Sequence, residues 1–112
     1  MTVVNKGNNG GYSTLHFTAN TVHTLADLQV AGETVNSAKI VDVYWTSAAT
    51  GNWTVDRDAV NVLNLTGSGH WNFQENAVQF EAEADIDGDI DVKLNTVTDG
   101  TLIMKLHKNS DY

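Results

Sequence analysis

The densest group of side chains able to do chemistry is Asp85 to Asp91, D-I-D-G-D-I-D. Carboxylates at alternate positions open an EF-hand loop, where they wrap a hard cation. Two positions break the match: Ile90 stands where the sharp-turn glycine belongs, and Thr96 where a bidentate glutamate belongs. The plainer reading is a solvated hairpin tip whose isoleucines face the core. Asp85, Asp87 and Asp89 remain weak candidates for a metal. The wider acidic run, Glu81 to Asp91, contacts water or steers a basic partner surface. His16, His23, His70 and His107 have no His-x-x-x-His spacing, so zinc is not expected. No serine lies in a nucleophile elbow, and Gly67-Ser68-Gly69 lacks the lysine and following helix of a phosphate loop. No catalytic residue and no cofactor are expected. Tyr12, Tyr44, Trp45, Trp53 and Trp71 offer aromatic surface for a sugar platform. The three tryptophans fall on faces shared with valine and leucine, which assigns them to a core and leaves Tyr12 and Tyr44 freer for contacts.

The elements that hold these residues are strands. Val78, Phe80, Ala82, Ala84 and Ile86 alternate with acids, Ile90, Val92 and Leu94 with polar residues, and Leu102, Met104 and Leu106 with Ile103, Lys105 and His107. Strict alternation marks half-buried strands. Parity then sets loop lengths, because a slip of one residue exchanges core for solvent. An Asp87-Gly88-Asp89 loop pairs Ala84 with Val92; a Thr98-Asp99-Gly100 loop pairs Leu94 with Met104. The same argument pairs Trp45 with Trp53 and Leu65 with Trp71. Val41, Val43 and Trp45 are expected on one face of their strand. Thr21 to Val30 reads as a strand, with a helix through Leu25 and Leu28 as the other option.

The fold class expected is all-β: an antiparallel sandwich, or a small barrel, of about eight short strands joined by tight hairpins. Residues 1–12 form a flexible arm and 13–112 a single domain.

Composition narrows the function. The 112 residues carry a formal charge of −8 and no cysteine or proline, with a pI near 4.6. Such a chain repels phosphate backbones, so nucleic acid is not an expected partner. No apolar run is long enough for a membrane helix. The first residues lack the apolar stretch of a signal peptide, so synthesis in a cytoplasm is expected.

Three stretches carry a family likeness: VNKGNNGGYSTLHFTAN (4–20), NWTVDRDAVNVLNLTGSGHWNF (52–73) and GTLIMKLHK (100–108). Together they resemble small structural proteins from the virions of tailed phages that infect marine bacteria. The resemblance covers about half the chain and rests on strand and turn patterns. It implies a non-enzymatic β-rich protein of the particle, first of all a capsid decoration, or cement, protein. Such proteins clip onto the shell where major capsid subunits meet, often as trimers. The implied partners are the major capsid protein, neighbouring virion proteins and further copies of the chain. The implied location is the virion, after synthesis in the host cytoplasm. Lys6, Asn8, Asn9, Tyr12 and Tyr44 are the expected contact residues. The alternative is a carbohydrate-binding or host-adhesion domain of the particle.

Overall fold

A computed structural model describes residues 2–5, 11–48, 50–73 and 86–111. These form nine strands: β1 (Thr2–Asn5), β2 (Tyr12–Phe17), β3 (Thr21–His23), β4 (Thr34–Ser47), β5 (Asn52–Arg57), β6 (Val60–Thr66), β7 (Ser68–Asn72), β8 (Ile90–Asn95) and β9 (Gly100–Asp111). They build two antiparallel sheets, one of five strands in the order β1-β2-β9-β4-β7 and one of four in the order β3-β8-β5-β6. The inward residues of both meet in one core. Leu15, Phe17, Ile40, Val43, Leu102 and Met104 come from the larger sheet, and Trp53, Val55, Leu63, Leu65, Ile90 and Val92 from the smaller. This is the expected all-β sandwich, with nine strands; the described residues form no closed barrel.

From β2 onward every connection but one crosses between the sheets. The order 2-9-4-7 over 3-8-5-6 is that of a jelly roll. This corrects the expected hairpins. Trp53 pairs with Leu65 and Leu94 rather than Trp45, and Trp45 with Gly69 and Leu102. Trp71 pairs with Val43 rather than Leu65. β8 and β9 lie in different sheets, so Leu94 is not paired with Met104. Val92 is paired on both sides, to Thr21 and Val55; Ala84, its expected partner, lies outside the described residues, as do 78–85 of the expected strand. The physical reason is common to these differences. Parity says which face a side chain points to, and an arch between sheets satisfies it as well as a hairpin does.

The one hairpin after β2 was not anticipated. Asp58 and Ala59 join β5 to β6 with φ of 50° and 70°, the left-handed pair of a two-residue turn that matches strand twist. Nor does β1 belong to a free arm. It pairs along β2 as an edge strand, Thr2 opposite Phe17 and Asn5 opposite Thr14, and Tyr12 already begins β2. Between β3 and β4 the expected strand holds only for Thr21–His23; Leu25–Leu28 is a 3₁₀ turn. The Asp27 carboxylate accepts from the Thr24 N–H at 3.0 Å at the start of that turn.

Two buried cations fix the layers. Arg57 continues the inward set of β5 and is fully buried. Its guanidinium donates to the carbonyls of Ala38 at 2.8 Å, Ile86 at 2.6 Å and Gly88 at 3.1 Å, tying β4 and the segment before β8 to the smaller sheet. Lys108 meets Glu33 at 2.9 Å, with both side chains fully buried, and donates to the Leu28 carbonyl at 3.2 Å. That joins β9 to the β3–β4 connection.

Candidate functional site

β4 holds the key to the outer face of the larger sheet. Register shifts between Val35 and Ser37 and between Ile40 and Asp42 interrupt its alternation. The second places both Ile40 and Val43 in the core and turns Asp42 and Tyr44 outward. The expected face of Val41, Val43 and Trp45 is therefore divided, since a bulge restarts the parity.

Registers then define rows across the outer face. His16, Ile103, Tyr44 and His70 stand side by side on β2, β9, β4 and β7. The next row is Thr14, Lys105, Asp42 and Asn72, and beyond it Tyr12, His107 and Lys39. Tyr12 and Tyr44 lie opposite His107 and Ile103, four residues apart on β9, a span of about 13 Å.

The rows are ordered by contact. The Tyr44 and His70 rings stack with centroids 3.8 Å apart and planes within 1°. His70 Nε2 lies 2.6 Å from Asp42 Oδ1, so the carboxylate fixes the imidazole and the imidazole fixes the tyrosine. Lys105, opposite Asp42, places Nζ 4.4 Å from the centre of the Tyr12 ring, a cation–π contact. Tyr12 also leans on His107 at 5.0 Å. Tyr12, Tyr44 and Ile103 are nonetheless 38%, 51% and 36% exposed. Beside Tyr44 and Ile103 the short side chains of Thr46, Ser68 and Thr101 leave an open hollow of ≈230 Å³. Its shape follows from residue size: a tall row stands next to a low one. Three of the large exposed apolar side chains among the described residues therefore share this face.

The other candidates separate. Lys6, Asn8, Asn9 and Asp85 lie outside the described residues. Asp87 and Asp89 are exposed, and among the described residues no group of three histidine or carboxylate side chains is placed to hold a metal ion. Trp53 is fully buried, its indole N–H donating to the Thr46 carbonyl at 2.9 Å. Trp45 is half-buried across from Gly69, whose missing Cβ makes the space for the indole; its N–H bonds the Thr66 carbonyl at 2.9 Å. Trp71, expected in the core, is 50% exposed at the β7 edge, on the opposite parity to Tyr44 and tilted against Phe73. The tryptophans thus make no common platform. Ser68, His70 and Asp42 share the outer face, but His70 uses its ring plane on Tyr44 and no hydrogen bond joins it to Ser68. That is a structural stack rather than a nucleophile with its base.

His70, next to Trp71 at a turn exit, reads from the sequence as a packing or hydrogen-bonding residue, and it is one; the places of Asp42 and Ile103 beside it were not legible. Ile103 read as one outward residue among several, and only pairing across β9, β4 and β7 assembles the row. The fold and this face define a class: a jelly-roll sandwich with one outer sheet surface suited to contact. No protein-family model, curated protein or solved structure matches the chain.

Proposed function

We propose that this chain is a structural protein of a phage particle, a capsid decoration protein that works by burying surface against the major capsid protein shell and its neighbours, without catalysis. The observation that carries the reading is the outer face of the five-stranded sheet, where Tyr12, Tyr44 and Ile103 stand exposed among residues held by stacking, hydrogen bonding and a cation–π contact. Side chains held in place before binding lose less entropy on docking. The sequence resemblance to marine-phage virion proteins supports the same reading, as does the jelly-roll order, which recurs in viral capsid domains. Fold alone assigns no function, so the surface has to be tested.

The test is addition of the purified chain to phage shells assembled without it. Binding is expected, on a standard interface of about 1,600 Å² in total. Tyr44→Asp with Ile103→Asp is expected to weaken it at least about tenfold, as loss of central anchors does, while the core keeps its melting transition. Shells that ignore the wild-type chain, or bind the double variant equally well, refute the proposal.

A further inference from the structure

The charges of this chain are not evenly spread. Among the side chains described on the outer face of the five-stranded sheet, Lys39, Lys105 and three histidines stand with one carboxylate, Asp42, which His70 and Lys105 flank. Arg57 and Lys108 are buried. The opposite layer ends in acid. Asp56 and Asp91 are direct cross-strand partners, the Asp58 N–H donates to the Asp89 carbonyl at 3.1 Å, and Asp87 and Asp89 are exposed.

Exposed apolar side chains follow the same division. Val22, opposite Asp91 on β3, is 56% exposed, and Val60, opposite Arg57 at the turn carrying Asp58, is 45% exposed. With Tyr12, Tyr44 and Ile103 on the basic face, they account for all the large exposed apolar residues among the described ones except the edge residue Trp71. One end of the sandwich thus offers aspartates beside two valines. The other face offers lysines beside a tyrosine–isoleucine row and a hollow.

We propose that the outer face of the five-stranded sheet receives the Asp56–Asp91 end of a second copy of the chain, head to tail. The inference rests on reading that face as a docking surface and names what docks there. Charge selects this arrangement. Face against identical face brings together two patches whose described side chains carry more lysine than carboxylate, and acidic end against acidic end brings aspartates together; the unlike pairing has the more complementary charge. The contact joins two different patches, so it builds closed rings where the rotation closes and open strings where it does not.

Analytical ultracentrifugation of the full-length chain tests it. The wild type is expected to self-associate at low ionic strength and to dissociate at about 0.5 M salt, where attraction between exposed charges is largely screened. Lys39→Glu with Lys105→Glu is expected to be monomeric, and so is Asp87→Lys with Asp89→Lys. Mixed one to one, these two variants are expected to recover an assembly that neither forms alone, because each reversed patch meets its reversed complement. Recovery also shows that neither variant is merely unfolded. A wild type that stays monomeric at low salt overturns the inference, as does association indifferent to salt and to both variants. A monomeric chain that still binds shells through Tyr44 overturns it too, while leaving the decoration reading intact.

Discussion

The two outer faces of the sandwich are built by the same alternation and come out chemically unlike. On the four-stranded sheet the outward set is small and amidic: Asn52, Thr54 and Asp56 on β5, Asn61, Asn64 and Thr66 on β6, and Asp91, Lys93 and Asn95 on β8. These side chains bond sideways to one another. Asn95 donates to Thr54 at 3.1 Å, Asn61 to Asp56 at 2.9 Å and Asn64 to Asn61 at 3.0 Å. Such a surface meets much of its own hydrogen-bonding need, and its large exposed apolar side chains, Val22 and Val60, stand at its acidic end. The five-stranded sheet instead raises rings and lysine stems above its strands and leaves them half in solvent. Its interactions lock positions without covering the apolar area. The difference teaches that two faces of equal alternation can differ in whether their exposed side chains are held rigid, and the docking reading proposed above rests on that rigidity.

The largest effect comes from removing the frame that both faces share. Lys108→Ala leaves Glu33 buried without its ion-pair partner, and a broken buried pair costs about 3–5 kcal/mol. Urea denaturation is expected to show that loss, with both faces melting in one transition. A loss under about 1 kcal/mol would mean that the pair is not buried as described.

A local break on one face ranks next. In Gly69→Ala the new Cβ lies 2.7 Å from Trp45 Cζ2 and 2.9 Å from Cη2. The indole must shift and weaken its bond to the Thr66 carbonyl. The expected cost is about 1–3 kcal/mol, with a change in tryptophan fluorescence and a narrower hollow beside Tyr44. Unchanged fluorescence would contradict the packing of Trp45 over Gly69.

The sharpest contrast pairs Tyr44→Ala with Asn64→Ala. Both residues are exposed, so each stability change is expected to stay near 0.5 kcal/mol. Only the tyrosine variant should lose shell binding or self-association. Equal effects on binding would erase the distinction between the faces.

The smallest effect is a gain. Asp91→Asn removes a carboxylate standing opposite Asp56, and relief of a like-charge cross-strand pair contributes about 0.2–1 kcal/mol. The melting temperature is expected to rise, most at low salt.

Much of the inward set was readable from alternation. Trp53, Val55, Leu63, Leu65, Ile90, Val92, Leu102, Met104 and Leu106 are all buried where alternation placed them. The exceptions have local causes. Ile40 and Val43 are both buried because β4 bulges between them, and nothing in A-K-I-V-D-V-Y-W marks the bulge. The Asp58–Ala59 turn was missed because alanine at φ 70° carries no glycine or asparagine signal; its strain, about 1–2 kcal/mol, is outweighed by the pairing of β5 with β6. Tyr12 and Tyr44 were legible as residues free for contact. Their place on one face with Ile103, His70 and Lys105 was not.

By itself the sequence determined which side of the chain turns from water, since a pleated strand sends successive side chains to opposite faces whatever lies beside it. Tertiary structure alone decided which strands are neighbours. A crossing between layers and a return within one layer bury the same side chains, and only the packing of the strands around one core separates them.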